Sequence, residues 1–148
     1  NKRLHIIGTN VTEHKSYFNK LINKDGIIVY GHVPHQKLNN ILNKCDVFVI
    51  ASLSDGYATV INQAAASGCA VICTENCGGK DFVKKNNCGF VVPIRDSQSI
   101  CDKLDLLLSD KNLLNEMKTN AINSIENNTW SDYVDRLDNF ILNFKNNR

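Results

Sequence analysis

Short, uninterrupted apolar runs alternate along this chain with stretches in which apolar residues recur every three or four positions. Leu4-His5-Ile6-Ile7 ending at Gly8, Ile27-Ile28-Val29-Tyr30 before Gly31, Val47-Phe48-Val49-Ile50, Ala70-Val71-Ile72-Cys73 and Phe90-Val91-Val92 before Pro93 each predict a strand. These runs do not alternate apolar with polar residues, so both faces of the strands are expected to be covered, as in parallel sheets flanked by helices. Tyr17, Phe18, Leu21 and Ile22 predict an amphipathic helix over 12–23, and Leu38, Ile41, Leu42 and Cys45 predict another after Pro34. Beyond Pro93 only helical spacing remains: Ile100, Leu104, Leu107 and Leu108, then Leu113, Leu114, Met117, Ala121 and Ile125, then Tyr133, Leu137, Phe140, Ile141 and Phe144. Strand and helix in alternation predict an α/β, Rossmann-like parallel sheet with a helical C-terminal tail. No repeat or Pro-rich linker divides the 148 residues, so a single domain is expected.

The segment Ala51–Gly79 reads as strand end, tight turn, short Ala-rich helix, glycine, second strand and glycine-rich turn. That order sets one helix N-terminus beside the carboxyl ends of two strands, where α/β proteins bind phosphorylated ligands. In the helix beginning near Ala58, Val60, Ile61, Ala64 and Ala65 form the apolar face, and Thr59, Asn62 and Gln63 the polar one. The first-turn N–H groups lack intrahelical partners, and the helix dipole contributes about 0.3–1 kcal/mol per anionic charge at an exposed terminus. Gln63 lies ~7 Å up the helix at 1.5 Å per residue, about the distance from a diphosphate to a ribose. Asp55 precedes the turn, on the side where a sugar on the distal phosphate would sit, and Gly56 supplies a permissive turn backbone. Taken singly, Asp55 reads as a cap and Gln63 as a solvated helix position.

Charge and composition narrow the partners. A formal net charge of +2 with scattered basic residues excludes the basic face that nucleic-acid binding needs. No run reaches the length of a membrane span or a signal sequence, which predicts a cytoplasmic protein. The chain begins at Asn1 without an initiator Met and reads as a piece of something longer. Six cysteines lack paired zinc-ligand spacing and read as small buried hydrophobes and near-surface thiols; no metal is expected.

Together these motifs resemble the C-terminal, donor-binding half of retaining family 4 (group 1) glycosyltransferases with the GT-B fold. That family shows Pro-Ser, Glu-Gly-Phe-Gly, Glu-Ala-Met-Ala-x-Gly, Pro-Val-Ile and a later Gly-Gly. The corresponding residues here are Ala51-Ser52, Asp55-Gly56-Tyr57-Ala58, Gln63-Ala64-Ala65-Ala66-Ser67-Gly68, Ala70-Val71-Ile72 and Gly78-Gly79. The flanks agree: Gly8, Gly31-His32-Val33, Cys45-Asp46-Val47-Phe48-Val49 and Trp130-Ser131.

The resemblance implies that Asp55 contacts the donor hexose and that Gly56 and the backbone of Tyr57, Ala58 and Thr59 bind the diphosphate. It also implies that Gln63 holds the ribose and that Gly31, His32 and Val33 lie near the base. The implied donor is a nucleotide-sugar such as a UDP- or GDP-hexose, used without metal in polysaccharide, lipopolysaccharide or other glycoconjugate biosynthesis. The implied partner is an N-terminal acceptor domain, which would also carry any peripheral membrane association; no role for nucleic acid follows. Family members open this half with a further strand and helix that carry an Arg and a Lys for the donor phosphates. Arg3, Lys80 and Arg95 do not map onto those roles, so the 148 residues by themselves are expected to be inactive. Gln63 replaces a carboxylate, and exchanging a charge-assisted for a neutral hydrogen bond weakens ribose binding about tenfold. That exchange motivates the alternative, a non-catalytic, degenerate nucleotide-binding or interaction module. A dinucleotide oxidoreductase would need G-x-G-x-x-G after a strand, and Gly8-Thr9-Asn10 lacks its second glycine. A receiver-like domain would need acidic residues at strand ends, and Asp46 starts a strand instead.

Overall fold

All five apolar runs are strands, and all pair in parallel. The computed structural model describes residues 2–8, 19–20, 24–56, 58–126 and 130–146. The helix read over 12–23 lies outside them except at 19–20, which are helical. The chain divides into two units, Asn1–Asn40 and Ile41–Arg148.

In the smaller unit β1 (Leu4–Ile7) pairs with β2 (Ile27–Gly31). Gly8 follows β1 with φ +134° and donates its N–H to Gly31 O at 2.9 Å, and Gly31 itself has φ +65°. The two glycines thus finish the two strands side by side, in backbone conformations that side chains resist. His5 Nδ1 lies 2.9 Å from the Tyr30 hydroxyl, with the two rings stacked. Helix α1 (His35–Leu42) then carries the chain into the larger unit.

There the sheet order is β3 (Val47–Ile50), β4 (Ala70–Thr74), β5 (Gly89–Val92), with β4 central. The parallel architecture therefore takes the form of two separate sheets among the described residues. Helix α2 (Thr59–Ala66) connects β3 to β4, and α3 (Lys80–Lys85) connects β4 to β5. The helical tail is α4 (Ser97–Ser109), α5 (Lys111–Glu126) and α6 (Trp130–Asn146), one helix for each apolar cluster in the sequence.

Every residue of β4 is buried, as its unbroken apolar run requires. Its odd positions, Val71 and Cys73, pack with Ile61, Ala65, Val83 and Ala121 from α2, α3 and α5. Its even positions, Ala70 and Ile72, pack with Val92, Leu107 and Met117 against α4 and α5. Period-two alternation thus sorts one strand into two cores. Gly68, at φ +75° just past α2, lets Cys69 N–H reach back to Ala64 O at 3.0 Å and close the helix end. Asp96 caps α4 through Ser99 N–H at 2.9 Å, and that hydrogen bond holds its carboxyl below the ordinary range. Asp110 caps α5 in the same way through Asn112 and Leu113 N–H.

Gly89 lies where β5 meets β4, and a Cβ placed on it would stand 1.7 Å from Val71 O. Neither backbone can yield without breaking the ladder. The Gly89→Ala variant is expected to lose about 3 kcal/mol or more of stability, read as the shift of a urea unfolding midpoint. A loss below about 1 kcal/mol, the size of an ordinary substitution, would show that β5 is not held in this register.

Candidate functional site

The sequence between β3 and α2 is polar and turn-forming, and it lies against the turn that follows β4. Ser52 O accepts a hydrogen bond from the buried Thr74 hydroxyl, and Leu53 O accepts one from Asn76 Nδ2 at 3.2 Å. Asp55 N–H donates to Asn76 O at 3.2 Å, while Asp55 O accepts from Gly78 N–H at 2.9 Å, forming a parallel bridge to Cys77. Both main-chain groups of Asp55 are thereby engaged. The carboxyl ends of β3 and β4 are joined by side-chain and main-chain bonds together, which fixes the loop without a helix or strand of its own.

Helix α2 begins directly behind this loop. Ala58 is its N-cap residue and provides no side-chain cap, and in the first turn Ile61 N–H donates to Ala58 O at 2.8 Å. Gly79 packs against the same turn: a Cβ there would fall 2.2 Å from Ile61 Cδ1. A side chain at that position would have to displace the buried Ile61 side chain. The structure thus brings together Asp55, Gly56, Ala58, Thr59 and the Gly78-Gly79 turn. Thr59 and Gly56 are exposed, Asp55 is half-buried and Ala58 is buried.

Gln63 is one turn further along α2 and half-buried. Tyr57 lies outside the described residues. Gly31, His32 and Val33 belong to the smaller unit, where His32 is exposed and Val33 half-buried after the end of β2. Of the cations considered from sequence, Arg3 and Arg95 are exposed, and Lys80 is half-buried directly after Gly79. Sequence reasoning missed Thr74 and Asn76, the two residues that hold the Asp55 loop. A hydroxyl ending an apolar strand and an Asn opening a glycine-rich turn were the available signals.

The cysteines belong to the packing: Cys73 and Cys77 lie in β4 and in the turn after it, whereas Cys69 and Cys88 lie just before β4 and β5, at the amino ends of the strands. Cys69, Cys73, Cys77 and Cys88 are buried, whereas Cys45 is half-buried and Cys101 exposed. Burial pushes the Cys69 thiol up to about 12, and the Cys73 and Cys88 thiols up to about 11. Cys69 directs its S–H toward Leu42 O and Cys45 O, so it acts as a structural donor. Among the described residues no three His, Cys, Asp or Glu side chains gather as a metal site, and no helix is long and apolar enough to cross a membrane.

A helix N-terminus without a side-chain cap, beside two parallel strand ends and a double-glycine turn, places the chain among parallel α/β proteins. A family model described as glycosyl transferases group 1 matches residues 1–124. The chain belongs to that family. It is 32% identical over 87 residues to sucrose-phosphate synthase 4 of Arabidopsis thaliana, covering 59% of this chain and 8% of the relative. It is 27% identical over 137 residues to the capsular polysaccharide biosynthesis glycosyltransferase CapM of Staphylococcus aureus, covering 90% and 36%.

Among solved structures, the sucrose-phosphate synthase of Thermosynechococcus elongatus superposes with a TM-score of 0.78 at 17% identity, covering 99% of this chain and 39% of that one. The C-terminal domain of LpcC, a group 1 glycosyl transferase of Francisella tularensis, superposes with a TM-score of 0.69 at 26% identity, covering 78% and 62%. The pneumococcal O-GlcNAc transferase GtfA, in complex with UDP and GlcNAc, superposes with a TM-score of 0.74 at 20% identity, covering 95% and 29%. The fold is that of the C-terminal part of GT-B glycosyltransferases. The chain spans less than two thirds of each of these proteins.

Thiol accessibility offers a direct check on the packing under the turn. With iodoacetamide at about pH 8, near the ordinary thiol pKa, Cys101 is expected to react first, Cys45 more slowly, and the four buried thiols only on unfolding. Because burial raises the folded-state pKa values above the ordinary 9.0, the thiols' contribution is fully present below pH 9. It is lost progressively as pH rises from about 9 through 11 to 12, so melting temperature should fall across that window. Rapid modification of Cys73 in the native protein would contradict the packing.

Proposed function

We propose that the larger unit binds the diphosphate-sugar portion of a nucleotide-sugar donor for retaining glycosyl transfer in polysaccharide, lipopolysaccharide or related glycoconjugate assembly. The observation that carries this reading is the joining of Asp55 and Gly78-Gly79 at the uncapped start of α2. An anionic diphosphate accepts hydrogen bonds from the N–H groups of Thr59 and Val60 and is favoured by the helix dipole. The Asp55 carboxylate, on the strand side of that position, accepts from hexose hydroxyls, and Gln63 serves the ribose from the helix flank. The presence of UDP and GlcNAc in the GtfA complex and the capsular role in CapM's name support the class of donor and pathway.

In transfer, fixed N–H dipoles stabilise the charge that grows on the leaving diphosphate as the anomeric bond breaks. Such donors contribute without reorganising during the reaction, which is why a helix terminus suits the task. No metal ion is invoked in this reading. The acceptor is supplied by an N-terminal domain, and the 148 residues bind donor without transferring sugar. The protein acts from the cytoplasmic side, where nucleotide-sugars are made.

Thermal-shift titration with UDP, GDP, ADP and their hexose conjugates tests the reading. One nucleotide series is expected to raise the melting temperature saturably. Gln63→Ala should weaken that series about fivefold, the loss of one neutral hydrogen bond. Gln63→Glu, which introduces a charged acceptor, should strengthen it about tenfold. Asp55→Asn should reduce affinity for the sugar conjugate while leaving the free nucleotide unchanged. A cooperative melt with no shift from any nucleotide would reject donor binding and leave the non-catalytic module.

A further inference from the structure

The segment that carries Asp55 has no apolar anchor of its own. Leu53 is 53% exposed, Ser54 and Gly56 are exposed, and a Cβ added at Gly56 would meet nothing within 4 Å. What holds the segment comes from β4 and the turn after it. Thr74, the last residue of β4, is the one buried polar side chain among the described residues, and its hydroxyl donates to Ser52 O. Asn76, exposed in the turn, holds the segment at two points. Its Nδ2 donates to Leu53 O at 3.2 Å, and its carbonyl accepts from Asp55 N–H at 3.2 Å. We infer that Thr74 and Asn76 are positioning residues for the donor sugar, which through Ser52 and Leu53 set where Asp55 stands relative to the start of α2.

This inference rests on the donor reading above, in which the two parts of the ligand depend on different structures. The diphosphate is assigned to the main chain of α2, a helix seated by the buried Ile61, Ala64 and Ala65. The sugar is assigned to a carboxylate on a segment that hydrogen bonds from β4 and its turn keep in place. Anything that loosens the segment therefore acts on the sugar and not on the diphosphate.

A ligand that meets a segment already in place does not have to order it, and its apparent affinity scales with the fraction of molecules in which the segment is in place. Removing one neutral hydrogen bond shifts such an equilibrium by up to about fivefold. The sugar conjugate senses that shift through Asp55, whereas the free diphosphate does not reach it. Thr74 and Asn76 thus act on selectivity for the conjugate. Two substitutions at Thr74 separate its hydrogen bond from its packing. Valine keeps the branched shape and lacks the donor, while serine keeps the donor and loses a methyl group. Asn76 is exposed, so its truncation removes a tie and little buried surface.

Calorimetric titration with UDP and UDP-glucose, GDP and GDP-mannose, and ADP and ADP-glucose tests this inference on the pair that the parent chain binds. Asn76→Ala is expected to lower affinity for the conjugate about two- to fivefold relative to the free diphosphate. Thr74→Val should do the same, and Thr74→Ser should keep the parent ratio. In an Asp55→Ala background, Asn76→Ala should leave the ratio where Asp55→Ala alone puts it, because the tie acts through Asp55. Should Thr74→Val not fold, Asn76→Ala and the double variant decide alone. The inference is overturned, with the donor reading intact, if Asn76→Ala weakens conjugate and diphosphate alike, leaves the ratio unchanged, or lowers it equally without Asp55. A parent chain that binds a diphosphate but no conjugate overturns it too. Binding of none of the three pairs overturns the donor reading and this inference with it.

Discussion

Two-sided burial of β4 is the constraint from which the larger unit follows. Five consecutive residues, Ala70–Thr74, have no face to show to water, so helices must cover both sides of the strand. The helix on one side can come close only because Ala64 and Ala65 are small and Gly79 carries no side chain toward Ile61. That close approach brings the start of α2 level with the carboxyl ends of β3 and β4. A larger residue at Gly79 would have to displace the buried Ile61 side chain of α2.

The same packing explains why a short polar loop can be a precise structure. The Ser52–Asp55 segment has no regular secondary structure, yet its carbonyls and amides are matched by Thr74, Asn76 and Gly78 across the strand ends. Its geometry is therefore set by the strand pair, which is the rigid part of the unit. The buried cysteines serve shape, since thiols are small enough to fill the space between α3 and β4 and are held protonated by burial.

Much of this is legible in the amino-acid sequence. The strands, the start of α2, the three tail helices and the double-glycine turn follow from runs, periods and punctuation along the chain. The family motif placed Asp55 and Gln63 around one helix end. Less legible were Thr74 and Asn76, whose importance comes from partners twenty-two and twenty-three residues away in the chain. Equally hidden was the open groove bounded by α3, α5 and α6. Its residues lie on three helices, and each alone reads as a solvated surface position. Helix α6 shows the same limit from the other side. Its apolar residues recur as expected, yet Phe140 is 68% exposed and Leu137 42% exposed.

What the sequence determined by itself is local and periodic: which segments are strands or helices, that the strands run parallel, and which family the pattern belongs to. Hydrophobic period and turn chemistry are written within a few residues, so they survive without knowledge of neighbours. Tertiary structure alone decided the pairing of β3, β4 and β5 as one sheet and of β1 with β2 as another. It alone decided that the Asp55 backbone would be tied to the turn after β4, and that amides from α3 and α5 would share one groove. Those outcomes depend on close approach between segments distant in sequence, where an ångström at Gly89 decides whether two backbones can meet.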